Sequence, residues 1–132
     1  MKTGIITGSV AIVLGMLIAF GPQVLFKVCA HGTSYPLCYW SARAEIGMGL
    51  LIAALGICLL VFSDLKTQQG LTIGIFFAGI IALSIPHVLI GGCGASAMAC
   101  SKVAFPVLSI ICIITLIGSV ICLIHIEVKI KK

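Results

Sequence analysis

Four apolar stretches, at about residues 4–26, 45–62, 70–90 and 103–126, constrain this chain more than any other feature. Each is close to the roughly 20 residues that a helix needs to cross the hydrocarbon of a bilayer. With short connections they consume nearly all of the 132 residues. The expectation is therefore one all-α domain over residues 1–132, an integral membrane four-helix bundle. Composition agrees: 61% of the residues are hydrophobic and 8% charged, whereas soluble domains carry roughly a quarter charged residues. A soluble fold of this size has no interior large enough to hide that apolar surface. Met1-Lys2 ahead of an apolar run resembles the start of a signal peptide, but the run is longer than the usual h-region of roughly 7 to 15 residues. It reads as a retained first helix.

Basic residues give the orientation. Lys2, Lys66, Lys129, Lys131 and Lys132 fall on one side of such a bundle, and Lys27, Arg43 and Lys102 on the other. Because Lys and Arg concentrate on the cytoplasmic side, the larger group is expected inside, with both termini (N-in/C-in). The net charge of +5 is spread along the chain rather than gathered on one face, so it reports topology and a lipid bilayer partner, not nucleic acid.

Four of the seven cysteines, Cys29, Cys38, Cys93 and Cys100, then lie in short loops on the outer face. Oxidising compartments favour disulfides, and a disulfide-braced outer cap is the first expectation. Four thiols allow three pairings, of which the short separations favour Cys29 with Cys38 and Cys93 with Cys100. The alternative reading adds His31 and Met98 to make a soft donor set for copper or zinc, or a thiol-redox pair. Neither loop holds a tight C-x2-C knuckle, and the first reading carries no cofactor. Cys58, Cys112 and Cys122 sit within apolar runs and are expected to pack as small side chains.

Small residues mark the expected helix contacts, because membrane helices associate through close backbone approach rather than a hydrophobic driving force. Gly70, Gly74, Ala78 and Ala82 recur every fourth residue of the third run, and Gly4, Gly8, Ala11, Gly15 and Ala19 mark the first. The stripe on the third run is expected to form one groove used in packing the bundle, with docking of another subunit as its alternative use. Two ionisable residues stand out. Glu45 opens the second run, where a helix N-terminus favours negative charge, with partner or cation binding as its other reading. His87 follows Pro86 near the end of the third run, where it is expected to bond a carbonyl freed by the proline or to line a functional cavity. Tyr39 and Trp40 suit an interfacial aromatic belt.

Enzyme signatures are missing. The chain has no G-x-x-x-x-G-K-[ST], H-E-x-x-H or G-x-S-x-G, and its three acids, Glu45, Asp64 and Glu127, are too scattered to form a carboxylate pair for acid–base work. A non-enzymatic protein is expected.

Cys29, the segment Cys38-Tyr39-Trp40 running into Ala44-Glu45-Ile46-Gly47, and Ile90-Gly91-Gly92-Cys93 with Met98-Ala99-Cys100 and Pro106 form a pattern. It resembles an uncharacterised bacterial family of small four-helix membrane proteins, a domain of unknown function. Leu37 stands where that pattern has methionine before Cys38. The resemblance implies a multi-pass protein of the bacterial cytoplasmic membrane, acting as an accessory to ABC permeases of the macrolide-exporter type.

Overall fold

A computed structural model describes residues 2–24, 37–89 and 105–132. Among these the chain forms four long helices: α1 (Lys2–Val24), α2 (Leu37–Val61), α3 (Leu65–Ser84) and α4 (Phe105–Lys131). A π turn, Ile85–Leu89, continues α3. All four are long and apolar enough to cross a membrane, the build of a multi-pass membrane protein.

Three helix limits differ from the apolar runs, because hydropathy reports where lipid begins and not where a helix starts. α2 begins at Leu37, eight residues before the second run, since nothing between Pro36 and Glu45 breaks a helix and the polar first turns need only leave the hydrocarbon. α3 begins at Leu65 because Asp64 caps it: the carboxylate Oδ2 accepts from Thr67 N at 3.3 Å and from Thr67 Oγ1 at 3.2 Å. The α2–α3 turn is thus only Phe62-Ser63-Asp64, not the whole interval 63–69 between the second and third apolar runs. Gln68 Nε2 reaches back to donate to Phe62 O at 3.1 Å and so closes the end of α2. α4 runs on to Lys131, and Lys129 and Lys131 in its last turn complement the negative end of the helix dipole.

Each helix presents the same interior phase. A seam of buried positions runs through 4, 8, 11, 15 and 18 in α1, 45, 49, 52, 56 and 59 in α2, 68, 72, 75, 79 and 82 in α3, and 108, 112, 115, 119, 122 and 126 in α4, with Ala19, Gly21, Ala53 and Ala78 buried beside it. Alternating steps of four and three average about 3.5 residues, the repeat that keeps one seam in register along left-handed bundles. Neighbours run antiparallel, with α1 on α2, α2 on α3 and α3 on α4, and α4 closes back more loosely onto α1. Only 28–39% of each span is buried inside the bundle, and exposed residues such as Ile5, Val13, Phe77, Ile117 and Ile121 form a surface that only lipid or another apolar surface can cover.

The tightest seam is α1 on α2. A Cβ at Gly15 would lie 2.7 Å from Ala53 N and Gly49 O, and one at Gly49 would lie 2.5 Å from Ala19 N and 2.6 Å from Gly15 O. Gly8 and Gly56 repeat this contact two turns away. The two backbones touch because both sides of the seam are glycine.

The α3 stripe does not form the single groove expected of it. Ala78 and Ala82 are buried, but Gly70 is exposed and a Cβ there would meet nothing within 4 Å, while one at Gly74 would meet only the Leu55 side chain, at 3.6 Å. The reason is geometric. A strict step of four overshoots the turn of 3.6 residues by about 40° each time, so Gly70 and Ala82 end up about 120° apart around the helix. In α1, Gly4, Gly8, Ala11 and Gly15 alternate steps of four and three and stay in phase, and Ala19, four further on, is buried beside Ile18.

Candidate functional site

The interior stripe of α2 begins with an acid. Glu45 occupies the position that Gly49, Ile52, Gly56 and Leu59 continue, and it is 1% exposed. It lies eight residues inside α2. The charge of a helix terminus fades within the first turn, so the dipole explanation for Glu45 does not hold. Arg43, two positions earlier and therefore on the far side of the helix, is exposed. Trp40 is also exposed.

Neither carboxylate oxygen of Glu45 has a hydrogen-bond partner among the described residues. Every other buried polar side chain there is engaged by its own helix or turn. Thr72 Oγ1 donates to Gln68 O at 2.7 Å, Thr115 Oγ1 to Ile111 O at 2.9 Å, and Ser119 Oγ to Thr115 O at 2.8 Å. Cys112 of α4, fully buried, lies within electrostatic reach of Glu45.

The level of Glu45 within the bundle follows from one contact. Gly74 of α3 stands opposite Leu55 of α2. Because these helices are antiparallel, moving eleven residues along α3 to Ile85 corresponds to moving eleven back along α2 to Ala44. Glu45 is therefore level with the π turn, which itself packs on α2. The π turn exists because Pro86 has no N–H and cannot satisfy the carbonyl four residues before it. Side chains cover the neighbouring acceptors: Ser84 Oγ donates to Ile80 O at 2.9 Å, and His87 Nδ1 donates to Leu83 O at 3.2 Å. His87 thus bonds a carbonyl beside the proline, and it is exposed rather than facing the interior.

At the opposite end of the bundle the polar side chains pair with one another and with backbone. There Gln68 bonds the α2 end, Thr72 Oγ1 approaches Cys122 Sγ at 3.9 Å, and Gln69 Nε2 donates to Glu127 Oε1 at 3.4 Å, joining α3 to α4. Midway, a cavity of about 150 Å³ separates α1 from α4, lined in part by Thr7, Ala11, Ile75, Thr115 and Ser119.

Of the thiol candidates, Cys29, His31, Cys93, Met98 and Cys100 lie outside the described residues. Cys38 is in the first turn of α2 rather than in a loop. Cys58, Cys112 and Cys122 are free thiols within the helices, packed as the apolar runs suggested. Sequence reasoning missed the nearness of Glu45 to Cys112 and the contact of Gly15 with Gly49. Its available signal was the identical spacing of residues 4, 8, 11, 15, 18 and 45, 49, 52, 56, 59, which puts the acid in line with the glycines.

No curated protein and no solved structure matches the chain significantly. The model of a domain of unknown function, DUF4418, matches residues 11–125, a span that includes Glu45, the Gly15–Gly49 contact and the π turn, and the chain belongs to that family.

Proposed function

We propose that this chain is a non-enzymatic accessory protein of the bacterial cytoplasmic membrane, a four-helix unit that packs within the bilayer against a larger partner such as an ABC export permease. Both termini and the Phe62-Ser63-Asp64 turn face the cytoplasm, and the cysteines Cys29, Cys38, Cys93 and Cys100 form a disulfide-braced cap on the other face. The observation that supports packing against a partner is the outward position of Gly70. It has open space beside it, between the exposed Thr67 and the exposed Ile73, and bare helix backbone is what a second transmembrane helix approaches most closely.

Two measurements test the reading. Native purification in mild detergent, with identification of co-purifying chains, is expected to recover a membrane permease, and Gly70→Leu is expected to reduce that recovery while the isolated chain stays folded. Alkylation in whole cells is expected to leave the four cap cysteines unmodified until a reductant is added. Ready alkylation with release of copper would instead favour a metal-handling protein built on those thiols with His31 and Met98. An impermeant maleimide that labels a cysteine placed at Thr67, but not one placed at Ser34, would reverse the orientation.

A further inference from the structure

We propose that Glu45, with the π turn level with it, is a binding site inside the bundle for a single positive charge, a proton or a small monovalent cation. The inference does not depend on the identity of any partner. It rests on three observations that are independent of one another.

The first is the carboxyl itself. It is 1% exposed and has no hydrogen-bond partner for either oxygen among the described residues. An uncompensated charge in such a place costs several kcal/mol, so a positive charge must accompany it. Secondly, the helices packed around it supply no such charge from their own described residues. α1 carries only Lys2, at its opposite end; α3 carries Lys66 at its opposite end and His87, which is exposed and bonded to Leu83 O. On α4, Cys112 is near and is not a cation, while Cys122, His125, Glu127, Lys129 and Lys131 lie ten or more residues towards the other end. On α2, Arg43 is exposed on the far side and Cys58 lies near the turn.

The third observation is the π turn, where the helix continues but its hydrogen-bond register shifts at Pro86. Irregular backbone at membrane depth is tolerated where it is buried in protein or lines a cavity, and carbonyls at helix breaks are a usual donor set for monovalent cations. Pro86 removes the ordinary donor to Ala82 O, and both Ala82 and Ile85 are buried at the level of the acid. A carboxylate and carbonyl oxygens can then share a small cation. Alternatively, a protonated carboxyl can donate to one of the carbonyls. The site lies two residues inside the Arg43–Val61 span, close to one membrane face, which gives a short route for exchange with water.

The test is modification of the full-length protein in native membranes by dicyclohexylcarbodiimide, which enters lipid and attacks protonated carboxyls, followed by peptide mapping. Glu45 is expected to be the modified acid, with Asp64 and Glu127 spared and the adduct lost in Glu45→Gln. Once the carboxyl begins to ionise, the rate should fall about ten-fold for each further unit of rising pH. Added sodium or potassium that slows the reaction identifies a metal cation as an occupant; indifference to both identifies the proton alone. An unreactive Glu45 in native membranes that becomes reactive only in the unfolded chain overturns the proposal, since the carboxylate is then permanently paired. A rate independent of pH overturns it as well, because an acid sealed from water exchanges nothing. The wild-type mapping stands even if Glu45→Gln fails to fold.

Discussion

Helix α1 (Lys2–Val24) is flanked by two seams of opposite character. Against α2 its backbone touches backbone, with Gly8 and Gly15 meeting Gly56 and Gly49. Against α4 it stands off, and a cavity of about 150 Å³ lies between Ala11 on one side and Thr115 and Ser119 on the other. Both seams follow the same alternation of four and three residues, so phase does not distinguish them. The difference is side-chain size at the facing positions: glycine on both helices lets the axes close up, whereas α4 sets Thr115 and Ser119 beside the gap. In lipid, where apolar area gives no net drive to associate, that closeness is most of the adhesion.

The contrast is most severely tested by Gly49→Leu. Its first added carbon would already overlap Ala19 N and Gly15 O, backbone atoms that cannot rotate aside, so a loss of about 3 kcal/mol or more is expected in detergent-titrated unfolding. If Gly49→Leu is tolerated as well as Gly70→Leu, the seam is not held by backbone contact. Gly8→Ala should cost about 1–2 kcal/mol in the same assay, because its Cβ would fall 2.9 Å from Gly56 O.

On the looser seam the effects should be smaller. Ser119→Ala removes a hydroxyl that bonds only its own helix at Thr115 O, so the loss should not exceed roughly 0.6 kcal/mol, the average for polar contacts between membrane helices. A loss several times larger would mean that Ser119 also holds something across the cavity. Smallest of all, Gly118→Ala, with no neighbour within 4 Å, should change stability by less than about 0.5 kcal/mol. A large loss there would show α1 and α4 to be closer than the cavity allows.

Much of this architecture is legible in the amino-acid sequence. Four long apolar runs in a chain with few charges have one solution in lipid, since helices satisfy their own backbone polar groups. The phase of Gly4, Gly8, Ala11 and Gly15 marks the face of α1 that packs. The α3 stripe misleads because recurrence every fourth residue looks like a face but precesses around the helix, carrying Gly70 out to the surface and leaving Ala78 and Ala82 inside. Glu45 is misjudged for a related reason: the apolar run starts at the acid, whereas the helix starts at Leu37, and the offset of eight residues moves Glu45 from a helix end into the interior.

Local chemistry thus settles what each segment does by itself. The lengths of the apolar runs set the number of spans, Asp64 and Thr67 start α3, and Pro86 turns its end into a π turn. Which faces meet is decided only when the helices pack, because burial belongs to pairs of surfaces. Glycine is an opening rather than a contact until another glycine stands opposite it, as Gly49 does for Gly15. A carboxyl in a helix is ordinary until its neighbours leave it with no partner, and that condition depends on the π turn and Cys112, about forty and more than sixty residues away from Glu45 respectively, meeting α2 at one level of the bundle.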